Sequence, residues 1–211
     1  IFRRQRPYLQ VLVRLPWVRF VGLTGANAFE SCPRQDDVDL FIITTRRRLW
    51  LCYLGIVLFS RALRKRELLC VNYLVDEDHL TIAQQNYYSA VQLIHMIPLT
   101  PNAMGTRLLA ANRWVYRFLP NAPDHLPDRP FYRLKGSARA AGPSEPKGNR
   151  ALLDWLNRQV YRRYARRLAR KYPEAMGTGI VLGEGVAKLH RNDYQDLYER
   201  LFARIKEQVR P

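Results

Sequence analysis

An α/β fold is the class this sequence predicts, and three observations point to it. Three short runs rich in β-branched and aromatic residues, 18–23, 38–45 and 68–75, fall within the first 83 residues. Helical patterns separate and flank those runs. Beyond Gln84 the apolar residues recur mostly at helical spacing, which gives the chain a helical C-terminal part.

In chain order, residues 7–15 read as a short helix that buries Leu9, Val11, Leu12, Val13 and Leu15, and Pro16 ends it. The first strand, 18–23, stops at Thr24-Gly25. A turn of helix and a loop containing Pro33 fill 27–35. The second strand is 38–45 and the helix 49–63 follows it. The third strand is 68–75, with a short fourth expected at 80–82. Helices are expected at 87–97, closed by Pro98, and at 104–118, closed by Pro120. Prolines and glycines crowd 121–150, which reads as a linker. Residues 150–172 form the clearest amphipathic helix, with Leu153, Leu156, Val160, Tyr164 and Leu168 on one stripe and Arg158, Arg162, Arg166 and Arg170 on another. Residues 177–185 read as a glycine-rich turn around the apolar run 180–182. A last helix covers 192–209 with Leu197, Leu201 and Ile205 facing inward. The organisation is thus a core at 7–83, a helical extension at 84–120, the linker, and a C-terminal helical segment at 151–211.

The 211 residues suit one compact domain with an appendage, or two small ones, and a hydrophobic content of 47% can fill a core. The net charge of +17, mostly from arginine, attracts polyanions, or else is spread over solvated faces. Cys32, Cys52 and Cys70 show no CxxC spacing, which argues against zinc and against a disulfide framework; the expectation is a reduced, cytoplasmic chain. The apolar run 49–59 spans only about half a bilayer core as a helix and reads as buried in the fold. No signal peptide is visible, and a start at Ile1 rather than Met suggests a processed or shortened N-terminus.

The chemistry lies between Val21 and Thr45. Asp37 and Asp39 open the second strand two residues apart, so strand alternation presents both carboxylates on one face and turns Val38 the other way. Adjacent carboxylates repel unless a cation neutralises them. Their hard oxygens suit Mg²⁺ or Mn²⁺, with water and triphosphate oxygens completing the shell. Gly25 and Ala26, at the end of the preceding strand, let backbone approach phosphate closely, and Thr24 adds a hydroxyl.

This arrangement resembles the DNA-polymerase-beta-like nucleotidyltransferase superfamily: a strand, a small-residue turn, a short helix, then Asp-hydrophobic-Asp on the second strand. The turn here is Gly25-Ala26, where that family commonly has Gly-Ser or Gly-Gly. With Arg48-Leu49-Trp50 after it and Ala111-Asn112-Arg113-Trp114 later, the run is also similar to a prokaryotic branch of the family. The resemblance covers residues 18–80. It implies a small mixed sheet flanked by helices, a divalent metal held by Asp37 and Asp39, and a triphosphate, ATP first, on Thr24, Gly25 and Ala26. It also implies transfer of a nucleoside monophosphate to an acceptor hydroxyl or phosphate. The family usually carries a third Asp or Glu on a neighbouring strand, as general base or shared ligand. Asn72 stands there in this chain, and an amide cannot take a proton as a carboxylate does. Either the enzyme works without that carboxylate, or the fold is a catalytically degenerate module that binds nucleotide or nucleic acid.

Other polar residues carry weaker expectations. Arg46, Arg47 and Arg48 either clamp triphosphate or form a solvated loop. Asp76, Glu77 and Asp78 read as a solvated turn, too far along the strand to share a metal with Asp39. Gln84, Gln85 and Asn86 read as helix-capping residues. His95 reads as a core histidine, and His190 with Asp193 as a helix entry capped by Asn192. The arginine stripe of 158–170 either tracks a nucleic-acid backbone, with Tyr161 and Tyr164 as stacking residues, or is a solvated helix face.

Overall fold

The structure of the chain, a computed structural model, describes residues 2–31, 37–63, 69–101, 103–135, 149–190 and 195–208. Cys32, Pro33, Asn192, Asp193 and residues 136–148 of the Pro/Gly-rich stretch fall outside the described residues. The fold is mixed α/β. Its elements are α1 (Phe2–Leu12), β1 (Val18–Leu23), α2 (Gly25–Ala28), β2 (Val38–Thr44), α3 (Leu49–Ala62), β3 (Leu69–Asp76), α4 (Tyr87–Ile94), β4 (Ile97–Pro98), α5 (Ala103–Ala111), α6 (Arg150–Lys171), β5 (Ile180–Leu182), β6 (Val186–Leu189) and α7 (Gln195–Gln208).

The six strands make one sheet in the order β4-β1-β2-β3-β6-β5. Only β2 and β3 are parallel, joined through α3; the other pairs are antiparallel. Alternation along the central strands feeds two cores. Val38, Leu40 and Ile42 of β2 point to the face covered by α1, α3 and α6, while Phe41 and Ile43 point to the face covered by α4 and α5. With both faces covered, β2 is buried from Val38 to Thr44 except at Asp39.

The three main strands lie within one residue of their expected bounds. Elsewhere the structure corrects the sequence. Residues 80–82 are not a strand: Leu80 and Ile82 are buried in an irregular segment held by Asn112. That asparagine is fully buried; its amide donates to the carbonyls of Leu80 (2.7 Å) and Leu108 (2.8 Å), and its Oδ1 accepts from the backbone N–H of Ile82 (2.8 Å) and the indole of Trp114 (2.9 Å). It also marks the end of α5, after which Arg113–Arg117 continues as a 3₁₀ turn rather than as the long helix expected to Phe118. Helix α4 stops at Ile94, because Ile97 and Pro98 pair with Leu23 and Gly22 as an edge strand, where a proline costs no ladder bond.

The C-terminal part contributes strands as well as helices. The region read as a glycine-rich turn is a hairpin, β5–β6, and β6 pairs with β3 through Tyr73↔Lys188, Leu74↔Ala187 and Val75↔Val186. Helix α6 crosses α3 and supplies its N-terminal cap from a distance: Asn157 Oδ1 accepts from the backbone N–H groups of Trp50 (3.0 Å) and Leu51 (3.1 Å). Trp50, fully buried, donates its indole N–H to the Gly183 carbonyl at 2.9 Å and lies among Tyr53, Tyr161 and Tyr164. Tyr161 and Tyr164 are therefore core residues of the α3–α6 contact, not stacking platforms. Helix α7 docks on α4 through Tyr87 against Phe202 and Tyr88 against Tyr198, so Leu197, Leu201 and Ile205 are exposed rather than inward (46%, 44% and 56%). On α1, Val11 is likewise exposed. No described helix is long and apolar enough to cross a membrane.

The arginines after β2 are held by carboxylates at the end of the sheet away from Asp39. Arg48 is 2% exposed and donates to Asp154 at 2.6 Å; Arg47 reaches the same carboxylate at 3.2 Å, and Arg46 pairs with Asp78 at 2.6 Å. Asp76, expected in a solvated turn, is buried and fully used: it accepts from the backbone N–H groups of Arg47 (3.0 Å) and Asp78 (3.1 Å) and holds His79 Nδ1 at 2.6 Å. Partial burial alone would raise the Asp154 carboxyl pKa. The hydrogen bonds and charges of Arg48 and Arg47 outweigh this and hold it below its ordinary value. A depressed folded pKa means that this carboxylate stabilises the fold above its unfolded pKa of about 4 and loses that effect as pH falls through the folded value. Wild type should therefore exceed Asp154→Asn in Tm at pH 6, and the gap should shrink steadily below about pH 4. A thermal unfolding series across pH checks this.

Candidate functional site

The site forms where β1 ends, on the sheet face covered by α4. Thr24 leaves β1 extended (φ −129°, ψ −171°), and its N–H donates to the Asp39 carbonyl at 3.0 Å, which fixes the turn beside β2. Gly25 then adopts φ +61°, a conformation that only glycine takes without strain. The absence of a side chain has a second purpose: a Cβ there would meet Asp39 Oδ2 at 2.1 Å. The Asp39 carboxylate thus lies directly against the small-residue turn. Ala26 follows in the first turn of α2, where its carbonyl accepts from the Ser31 N–H at 3.1 Å.

Asn72 reaches the same carboxylate, its amide donating to Asp39 Oδ1. The register explains how. Asp39 pairs with Cys70 and Leu40 with Val71, but Phe41 pairs with Tyr73, so Asn72 is an extra residue in the ladder, a β-bulge. Val71 packs with Leu40 on the opposite face, so alternation turns Asn72 toward Asp39, and the bulge keeps Tyr73 on that side as well. Asp76, opposite Thr44 at the far end of β3, is about 17 Å along the strands from Asp39 and belongs to a different cluster. Asp37 immediately precedes β2 and is half-buried, with Val38 fully buried between it and Asp39. The Asp37 carbonyl accepts from Asn27 Nδ2 at 2.7 Å, which ties α2 to the head of β2.

No family model, curated protein or solved structure matches the chain. The reading of the site therefore rests on its own geometry.

Several residues at the site were not visible in the sequence. Gln92 of α4 accepts the Gly25 N–H on its Oε1 at 3.1 Å, so an anion takes that N–H only by displacing the amide. A cleft beside the turn is lined by Thr24, Asn72, Gln92, Tyr88, Lys188 and His190, over the stacked rings of Phe41 and Tyr73 (centroids 5.4 Å, 15° apart). Lys188 is 4% exposed and donates to the Thr178 carbonyl at 2.9 Å; it reaches the cleft because β6 pairs with β3. Burial pushes the Tyr73 phenol up to about 12, so it is a proton donor and not a base near neutral pH. Asn86 caps α4, its Oδ1 accepting from the Ser89 N–H at 2.9 Å, as expected. His95 is exposed, its ring 5.1 Å from that of Phe29, and is not a core residue. Cys52 is buried, which pushes its thiol up to about 12, so it is not a nucleophile.

The donor set fits a hard divalent cation. Asp39 and Asp37 offer carboxylate oxygens and Asn72 an amide oxygen, since the amide's orientation follows from its hydrogen bonds and reverses at small cost. Among the described residues no group of three or more His, Cys, Asp and Glu side chains gathers to hold a metal. A metal held here would need phosphate oxygens and water to complete its shell, as Mg²⁺ commonly does.

Proposed function

We propose that the chain is a metal-dependent nucleotidyltransferase that moves a nucleoside monophosphate from a triphosphate, ATP first, to an acceptor. The observation that carries this reading is the contact of the Asp39 carboxylate with Gly25, whose positive φ and missing Cβ leave one small gap between an acidic group and a tight turn. Asp39 and Asp37 would hold Mg²⁺ or Mn²⁺. When bound, that ion would neutralise phosphate charge and lower the pKa of an acceptor hydroxyl. The chain's own groups would position the nucleotide. Thr24 and the Gly25-Ala26 turn would face the phosphates, Gln92 would yield the Gly25 N–H to an anion, and the buried Lys188 ammonium would attract the departing pyrophosphate. Tyr88 and the Phe41–Tyr73 pair offer an apolar wall for the base.

A second reading is favoured by one observation. The Asn72 amide occupies Asp39 where the resembled family has a third carboxylate, so the carboxylate base of that family is missing at its position. On that reading the site binds nucleotide and performs no transfer. Incubation with each of the four α-labelled triphosphates, Mg²⁺ and a broad acceptor panel separates the two. The first reading expects labelled product that falls about 10³-fold in Asp37→Asn, the loss of several kcal/mol of metal-mediated stabilisation. Equal product from that variant removes the mechanism, and calorimetric binding without any product favours the module.

A further inference from the structure

We infer that the outward face of α6 is a docking stripe for single-stranded nucleic acid, with Trp155 as its stacking platform. The inward face of α6 is already used: Asp154 holds Arg47 and Arg48, Asn157 caps α3, and Tyr161 and Tyr164 pack on Trp50. The outward face carries Trp155 with Arg158, Arg162 and Arg166 three, seven and eleven residues further on, which is one stripe of a helix. All four are exposed, Trp155 at 51%. Arg163 and Arg170 are exposed beside them.

Three features separate this stripe from an ordinary solvated face. Its charge is uncompensated: the one acidic residue of α6, Asp154, is taken by Arg47 and Arg48, and among the described residues none of the stripe arginines has a carboxylate partner. Like charges four residues apart disfavour the helix that carries them, and the only bond these guanidinium groups make among the described residues is a neutral one, from Arg166 Nε to the Arg162 carbonyl at 3.2 Å. The arginines recur every four residues, a rise of about 6 Å, so successive guanidinium groups can follow successive phosphates of an extended strand. A large aromatic ring lies exposed at the head of the row, where a base can stack on it. A duplex hides its base faces and would leave Trp155 unused. An anionic membrane fits less well, because a helix lying in lipid needs an apolar face. The apolar stripe of α6 is turned inward, and only Leu152 joins Trp155 as an exposed large apolar residue on this helix. This inference does not rest on the nucleotidyltransferase reading.

The test uses the full chain and a fluorescein-labelled 20-mer of oligouridylate, with EDTA present and no triphosphate, read by anisotropy across a salt series. The expected result is salt-dependent binding that the triple variant Arg158→Gln, Arg162→Gln, Arg166→Gln weakens at least 10-fold, with its log–log salt slope shallower by about 2. Trp155→Ala should lose about 10-fold with the slope kept. A control triple of exposed arginines elsewhere, Arg61→Gln, Arg107→Gln, Arg113→Gln, should retain most of the affinity. No binding, equal losses in the two triples, or an unaffected Trp155→Ala would overturn the proposal. So would phosphatidylserine vesicles being the ligand whose binding the stripe triple alone abolishes.

Discussion

Asp39→Asn is expected to lower nucleotidyl transfer about 10³-fold or more while the chain stays folded. The substitution keeps shape and removes charge, so it can still accept a hydrogen bond from the Asn72 amide at the bulge and still fits against Gly25. What it removes is the anionic oxygen that a divalent cation needs. Gly25→Ala should give a comparable loss by the opposite route: it leaves the charge and takes away the space. Its Cβ would fall 2.1 Å from Asp39 Oδ2, and φ +61° is strained for any residue with a Cβ. The two variants differ in stability. Asp39→Asn should melt within a few degrees of wild type, whereas Gly25→Ala should lose about 1–3 kcal/mol. Steady-state transfer and thermal unfolding, measured side by side, distinguish these outcomes, and an active Asp39→Asn would remove the proposed mechanism.

The largest effect on stability is expected at Asn112. Leucine has the same branched outline, with bulkier methyl ends and no polar atoms, so Asn112→Leu would orphan the Ile82 N–H, the Leu80 carbonyl and the Trp114 indole in a buried site. Each buried group left unsatisfied costs about 1–3 kcal/mol, and a total near 4 kcal/mol is expected, a large share of the stability of a domain this size. Urea unfolding should show a lower midpoint with an unchanged slope. The loss should fall below about 1 kcal/mol only if water takes over all of the orphaned bonds. The effect would also explain Ala111-Asn112-Arg113-Trp114 as a structural latch: the asparagine ends α5, braces 80–82 and orients the tryptophan.

Local chemistry was legible in the sequence, and long-range pairing was not. The strands 18–23 and 38–44 are visible because β-branched and aromatic residues run between turn signals, and the approach of Asp39 to Gly25 follows from those strands being neighbours. Asn72 was legible as a polar residue in an apolar run. The bulge that brings Tyr73 onto the same face, stacked on Phe41, is a property of how β3 pairs with β2, which no local pattern encodes. Lys188 and His190 line the cleft only because β6 joins β3 across more than a hundred residues. The same limit explains the errors. An amphipathic stripe shows that a helix has an apolar side, not that the fold covers it; Leu197, Leu201 and Ile205 form such a stripe and stay exposed. Asp76 looked solvated beside two more acidic residues. Its burial depends on Arg47, which takes φ +55° and presents its N–H to that carboxylate.

Manganese binding measured by electron paramagnetic resonance tests the central claim most directly. In the presence of ATP, wild type should take up Mn²⁺ at a site that Asp39→Asn loses, with affinity falling at least tenfold and the fold intact by circular dichroism. Undiminished Mn²⁺·ATP binding by Asp39→Asn would contradict the account, because the carboxylate beside Gly25 would then not be what holds the metal.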